Sequence, residues 1–273
     1  MLSCTLAFIP HLSAQSPAKY KVTYFADHYL CEEALSDKKY TEGANTLYFN
    51  EEASIFFHDN YPKERVTGEV KESGRSLVYI GTPPDPEQIA IYVNLRERYL
   101  YYKTFKAANS NPRSHPIVRE DLPDIKWKIF PEHRKKIGDF QCIRAEGRFG
   151  DRLYSVWFTP DIPLGFGPHK LCGLPGLILS ARSLDGVVNF EFQSFSASFP
   201  EQVIVEEPKV GKKMTREEFE AHVIAYYLRY QEYRVEHPGT GDLEDAPCDC
   251  TIERCKNQIY TEYKQRLKSG KRP

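Results

Sequence analysis

The sequence predicts a mainly β protein, built as a large antiparallel sheet, a sandwich or an open barrel, with a helical extension at its C-terminal end. Its 273 residues include 18 Tyr and 16 Phe, and aromatic side chains favour strands. About ten short strand-like stretches follow one another at regular spacing, separated by turn residues, as in sheets of this class. Because no long helical pattern interrupts them, a parallel fold of alternating strands and helices is not expected.

The predicted strands are short runs of aromatic and β-branched residues. Asn50-Glu51-Glu52, Gly138-Asp139 and Asp185-Gly186 are predicted turns between neighbouring strands. The polar segment from Lys106 to Pro116 is predicted to be a loop. In chain order, the predicted strands are Tyr20–Tyr29, two strands within Asn45–His58, Ser76–Ile80, a hairpin within Ile89–Phe105, Trp127–Phe130, Phe140–Gly147, Leu153–Phe158, Leu177–Ala181 and Val187–Phe195.

Residues 18–210 are interpreted as the β domain, and residues 211–273 as a helical, cysteine-containing extension that ends in a basic tail. Thr215-Arg-Glu-Glu218 is a capping box, the pattern that begins a helix. Apolar residues at helical spacing predict one face of this helix and, later, a second helix. These residues are Phe219, Val223, Tyr226 and Tyr230 in the first helix, and Ile252, Cys255, Ile259 and Tyr263 in the second.

The charge balance and the N-terminal residues indicate the compartment of the protein and limit its partners. Lys and Arg total 37 against 38 Asp and Glu, so no net field attracts a polyanion, and nucleic acid is excluded as a partner. The apolar segment 1–14, which ends at Ala14, predicts a signal peptide, with an unstructured or buried tail as the alternative. A periplasmic or secreted protein is therefore expected. No later apolar run reaches the roughly 18 residues of a membrane-spanning helix.

Cysteines offer two kinds of site. Cys4 would leave with the signal peptide. The remaining thiols favour disulfides in an oxidising compartment, although Cys142 and Cys172 lie in patterns that also suit buried free thiols. The possible disulfide cysteines are Cys31, Cys142, Cys172, Cys248, Cys250 and Cys255. Cys248, Cys250 and Cys255 could instead bind copper or zinc, but they lack the paired C-x-x-C spacing of a zinc site. No cofactor is predicted.

The segment Gly173-Leu-Pro-Gly-Leu-Ile178 has two interpretations. In the first, Pro175-Gly176 forms the centre of a type II turn, with positive φ at the glycine, and leads into a buried strand. In the second, the local glycines let the backbone approach a ligand whose walls are aromatic. The candidate ligand-binding residues are Trp157, Phe166, Gly167, His169, Gly173 and Gly176, with Gly165 as a further close-approach glycine.

This motif resembles the signature of the GLPGLI family of Gram-negative envelope proteins. The resemblance extends over about residues 18–200 and implies an exported β-rich protein. It implies no established activity and supplies no catalytic residues. The supporting residues are Trp127-Lys-Ile129, Ile137-Gly138, Cys142 with Ala145, Trp157 to Pro163, and Gly167 to Lys170.

Three functional hypotheses follow. The first is a non-enzymatic binding or interaction module, in which a sheet pocket covered by helices takes an envelope protein, a peptide or a hydrophobic ligand. The second is a secreted hydrolase of glycans or peptides that uses Asp151, Asp161 and Asp185 as paired carboxylates. The third is metal handling through the C-terminal cysteines. Neither G-x-S-x-G nor H-E-x-x-H occurs in the sequence, which removes two common hydrolase motifs.

Overall fold

The computed structural model describes residues 16–28, 41–58, 67–72, 75–80, 90–103, 115–237, 265 and 268–269. It confirms the mainly β fold class, with one large open sheet and a helix at the C-terminal end. The predicted signal peptide, the second helix of the extension and four of the six possible disulfide cysteines lie outside the described residues. Those four cysteines are Cys31, Cys248, Cys250 and Cys255.

The elements follow one another along the chain as short strands and one long helix. Their bounds are β1 (Ser16–Pro17), β2 (Tyr20–His28), β3 (Thr41–Phe49), β4 (Ala53–His58), β5 (Thr67–Glu72), β6 (Arg75–Ile80), β7 (Ala90–Asn94), β8 (Tyr99–Lys103), β9 (Pro116–Asp121), β10 (Lys128–Ile137), β11 (Phe140–Phe149), β12 (Arg152–Thr159), β13 (Leu177–Ser183), β14 (Val188–Ser196), β15 (Ile204–Val205), β16 (Lys212–Thr215) and α1 (Arg216–Glu236).

Twelve strands form the large sheet in the order β10-β11-β12-β13-β14-β2-β3-β4-β7-β8-β9-β16. Most neighbours are consecutive along the chain and pair as antiparallel hairpins, as the predicted turns require. Three pairings are between strands that are not consecutive in the chain. Strand β4 pairs with β7, past the separate β5–β6 hairpin, and the other two pairings join more distant segments. Strand β14 lies beside β2, which brings two distant parts of the chain together in the middle of the sheet, and β16 pairs with β9 in parallel. The predicted extension therefore begins as an edge strand of the sheet.

Strand β9 was not predicted, because its sequence Pro-Ile-Val-Arg-Glu-Asp lacks a clear alternating pattern. Its first three residues are buried and the rest are not. Ile117 and Val118 pack on opposite faces of the sheet, and each is fully buried. A short strand with both faces covered does not alternate between apolar and polar residues, so periodicity alone cannot identify it.

Two hydrophobic clusters lie on opposite faces of the β3–β9 part of the sheet. The larger cluster, here called the main core, continues under β10–β14 and includes the fully buried Tyr24, Phe56 and Phe190. The smaller cluster contains Tyr48, Tyr92 and other tyrosines, and residues 199–205 pack against it through their apolar side chains. Because both faces of this part of the sheet are covered, its strands carry continuous apolar runs.

Helix α1 begins at the predicted capping box. Thr215 Oγ1 accepts a hydrogen bond from the Glu218 backbone N–H at 3.2 Å, and the Thr215 N–H donates to Glu218 Oε2 at 2.8 Å. The most buried side chains described on the helix are Ile224 and Leu228. They lie one turn apart, on the side opposite the predicted face, where Phe219 is only half-buried. Among the side chains that the structure describes on the helix, the deepest burial is therefore not on the predicted face.

A buried ion cluster joins the sheet edge, helix α1 and the loop after β12. Glu120, on β9, accepts from Lys170 Nζ at 2.8 Å through one oxygen and from Arg216 Nη1 at 2.7 Å through the other. Lys170 Nζ also lies 4.0 Å from the centroid of the Tyr102 ring. The Lys170 side chain is 5% exposed and that of Glu120 is 13% exposed. Glu120 is therefore shared by two cations in a poorly hydrated place, and Arg216 pairs in addition with Glu220 at 2.8 Å.

Substitution of the two ends of this cluster should destabilise the protein unequally. Glu120→Gln leaves the Lys170 ammonium buried without its carboxylate, so we expect a loss of about 3 kcal/mol in the free energy of unfolding. Lys170→Met leaves Glu120 paired with Arg216, and we expect a loss of less than about 1.5 kcal/mol. Urea denaturation of both variants measures the difference. Equal losses would show that Glu120 is not the shared partner.

Candidate functional site

The loop of residues 160–176, here called the plug loop, follows β12 and folds into the main core. Phe166, Leu171, Cys172 and Leu174 are each at most 3% exposed. Its backbone is tied internally, because the Gly173 N–H donates to the Gly165 carbonyl at 2.9 Å. Burial of four apolar side chains from one loop is a packing arrangement, and the space beneath this part of the sheet is filled by the chain itself.

Hydrogen bonds fix the plug loop to what surrounds it. The Leu177 N–H donates to Ile162 O at 3.0 Å, and the Ile178 N–H donates to Phe166 O at 2.9 Å. Tyr24 Oη donates to Ile178 O at 2.7 Å, inside the core, where burial raises the pKa of the Tyr24 phenol. Buried backbone groups need such partners.

A tryptophan fixes the outer end of the loop. Trp127 Nε1 donates to the Cys172 carbonyl at 2.9 Å, and its ring lies against Gly147, where an added Cβ atom would be 2.6 Å from a ring carbon. The Phe166 ring, at the inner end, is 5.7 Å from that of Phe49 between centroids. The loop is thus held at both ends by aromatic side chains from distant parts of the chain.

The glycines of the plug loop serve close approach of the chain to itself. The predicted positive φ at Gly176 is wrong, and the positive φ of 90° belongs to Gly173. A Cβ atom at Gly176 would overlap the carbonyl oxygen of Thr159 and lie 2.8 Å from its carbon. At Gly165 and Gly167 an added Cβ atom would be 2.6 Å and 2.7 Å from carbonyl oxygens within the loop. At these glycines the backbone of the chain itself leaves no room for a side chain. The close approach that was predicted for a ligand is therefore made by the chain.

The candidate ligand-binding residues do not come together. Phe166 and Gly167 are buried in the main core. His169 has a positive φ of 58°, and its ring packs edge-on against Phe56 at 6.4 Å. Trp157 follows Val156 on β12, and because successive side chains of a strand alternate, it lies on the opposite face from the buried Val156 and Phe158. Trp157 is half-buried and also contacts the main core.

On that outer face the strand register places side chains in a row across four strands. Phe130 pairs with Arg144, Arg144 with Trp157, and Trp157 with Ser180. Paired residues share a face of the sheet, so these four form what we call the outer row. The sequence could not reveal it, because it depends on the β10 bulge between Phe130 and Arg134.

Arg144 is held at the centre of the outer row. Its guanidinium carbon is 5.1 Å from the centroid of the Phe130 ring. Its Nε donates to Ser155 Oγ at 3.2 Å, and its Nη2 pairs with Glu146. Its Nη1 is 3.1 Å from His133 Nδ1. Several partners fix the orientation of this guanidinium.

Lysines lie over the two aromatic rings of the outer row. Lys135 Nζ is 4.4 Å from the centroid of the Trp157 ring, and Lys128 Nζ is 5.0 Å from that of Phe130. Partial burial lowers the pKa of the Lys135 ammonium. The ring faces are therefore occupied by cations at the surface of the protein.

Cys142 and Cys172, the two described cysteines, are free and buried. They therefore agree with the prediction of buried free thiols and not with that of disulfides. Burial raises the pKa of the Cys142 thiol to about 11 and that of Cys172 to about 12. A protonated thiol is a poor nucleophile and a poor metal ligand. Within the described residues, no group of three or more His, Cys, Asp or Glu side chains is placed to hold a metal ion. The proposed metal cysteines lie outside those residues.

Asp151 and Asp161 do not form a catalytic pair, whereas the β12–β13 register places Asp185 at the Asp151 end of β12. Asp151 and Asp161 flank opposite ends of β12, and eight extended residues separate them by about 23 Å. A glycosidase pair lies within about 10 Å, so the pairing of these two residues is wrong. Asp185 instead forms an ion pair with the buried Arg152 and accepts from the Val187 N–H at 3.2 Å.

Comparison with known proteins gives one family match and remote structural similarity. A family model described as "Protein of unknown function (Porph_ging)" matches residues 151–180, a stretch that contains β12 and the whole plug loop. No curated protein matches the chain. No described helix is long and apolar enough to cross a membrane.

Two solved structures of PNGF-II, in space groups P21 and C2, are 13% identical to the chain, with TM-scores of 0.47 and 0.46. The matches cover 75% and 74% of this chain and 32% and 31% of the PNGF-II chains. The chain therefore spans about a third of the length of these relatives.

Substitution at Gly176 tests the close approach. In Gly176→Ala the new methyl group overlaps Thr159, and we expect a loss of at least about 3 kcal/mol in the free energy of unfolding. Gly186→Ala is the control: Gly186 has a positive φ of 74° but nothing within 4 Å of an added Cβ atom, so only backbone strain of about 1 kcal/mol is expected. Urea midpoints of the two variants provide the comparison. Similar losses would contradict the packing role.

Proposed function

We propose that this chain is an exported envelope protein of the GLPGLI type that acts as a non-catalytic binding module through its outer row. The predicted signal peptide and the Gly-Leu-Pro-Gly-Leu-Ile motif support export. The family match falls on the same stretch but is to proteins of unknown function. The proposal therefore depends on the chemistry of the surface.

The outer row carries this proposal. Phe130 and Trp157 are aromatic side chains that remain partly exposed, although Trp157 lies between Val156 and Phe158 of the main core on β12. The guanidinium of Arg144 is fixed between them by Glu146 and Ser155. Trp, aromatic and Arg side chains are enriched where proteins bind partners. A rigid sheet also holds them without further ordering cost.

The inner face of the sheet is the weaker candidate. A hydrophobic ligand would need a pocket there, and the plug loop occupies this place with Phe166, Leu171 and Leu174. A ligand would have to displace these side chains, and the loop that carries them is held to β13 by backbone hydrogen bonds at Ile162 and Phe166. At the outer row a ligand has to displace only the exposed lysine side chains that lie over the two rings.

Photo-crosslinking in the native envelope tests the proposal. A photoreactive residue in place of Arg182, exposed beside the outer row, should give a crosslinked product of increased mass. The matched control is the same residue in place of Asp121, which is exposed at the far part of the sheet, and it should give none. Trp157→Ala should remove the product formed from position 182. Absence of the product, or equal products from both positions, would contradict the proposed surface.

A further inference from the structure

We infer that the ligand of the outer row is an acidic polysaccharide, a linear chain of sugars that bears carboxylates. This inference rests on the proposed function and names the ligand class of the same surface. Three features support it: cations beside the two rings, the spacing of the rings, and the direction in which the row runs.

The charged groups on this face favour an anion. Lys128, Lys135 and Arg182 are exposed, whereas Arg144 is already paired with Glu146. Lys128, Glu146, Ser155 and Arg182 form a second row beside the outer row, because they are successive partners in the strand register. A cation therefore lies at each end of this second row, and Lys135 lies over Trp157. Glu191 on β14 and Glu132 in the bulge are the other carboxylates near these groups.

The rings suit sugars. Phe130 and Trp157 are two strands apart in the register, which places them about 10 Å from each other across the sheet. An aromatic ring face carries negative potential and attracts the weakly positive C–H groups of a sugar ring. Lys128 and Lys135 now cover these faces, and each could pair with a carboxylate of the sugar that takes its place over the ring.

The direction of the row favours a polysaccharide over an acidic peptide. The row crosses the strands, so a chain bound along it meets side chains and no free backbone groups of the sheet. An extended peptide gains much of its affinity from backbone pairing along a strand edge, and would leave its own amides unpaired here. A polynucleotide could stack on the rings, but its phosphates need an extended basic surface, and the chain has a net charge of −1.

Binding of oligogalacturonate to the full chain tests the inference, with its methyl-esterified form as the neutral control. We expect saturable binding of the acidic form that weakens as salt increases, and at least about tenfold weaker binding of the ester. Trp157→Ala should weaken binding about tenfold and Trp157→Phe much less. Lys135→Gln and Arg182→Gln should each weaken it about threefold to tenfold, and Lys19→Gln, distant from the row, should leave it unchanged.

Circular dichroism and urea midpoints establish that each variant is folded. Equal binding of the acid and its ester, no binding of either, or binding unaffected by Trp157→Ala would overturn the inference. Polyglutamate or oligothymidylate binding as tightly as the acidic sugar would overturn the polysaccharide class. If crosslinking from position 182 succeeds while oligogalacturonate does not bind, the inference fails and the proposed function remains.

Discussion

At Gly176 the backbone of the plug loop lies directly against the carbonyl group of Thr159, with no room for a side chain between them. This approach turns the chain back at the end of β12 and directs Leu177 into β13. Because β13 then pairs with β12, the loop must fold beneath the sheet that both strands build. The buried Phe166 and Leu174 follow from that path.

Several distant parts of the chain converge on the plug loop. Trp127 holds the Cys172 carbonyl, Tyr24 holds that of Ile178, and Lys170 reaches Glu120 at the far edge of the sheet. Glu120 also binds Arg216 at the start of α1. The loop therefore links the two ends of the large sheet and the helix that follows it.

Local features could be predicted from the sequence, and long-range ones could not. Strands, turns and the capping box at Thr215 depend on neighbouring residues, so their patterns were informative. The adjacency of β14 and β2, the parallel pairing of β9 with β16, and the burial of Ile224 depend on contacts between distant residues. The importance of Gly176 was predicted, but for its φ or for close approach to a ligand, because close approach to Thr159 has no local pattern.

The candidate site shows the same limit. The aromatic residues around the motif were expected to act together, but alternation along β12 sends Trp157 to the outer face while the plug loop fills the inner one. Sequence distance could not exclude the pairing of Asp151 with Asp161, whereas the length of β12 does. Arg144 and Phe130 lie on other strands, and they become neighbours of Trp157 only through the register.

The central claim is that the plug loop is a fixed part of the core and does not open to admit a ligand. Native-state hydrogen exchange of the Gly173, Leu177 and Ile178 amides tests it most directly, since all three donate within or next to the loop. If the loop is core, these amides exchange with a free energy within about 1 kcal/mol of global unfolding. Exchange through a local opening several kcal/mol below global unfolding would contradict the account.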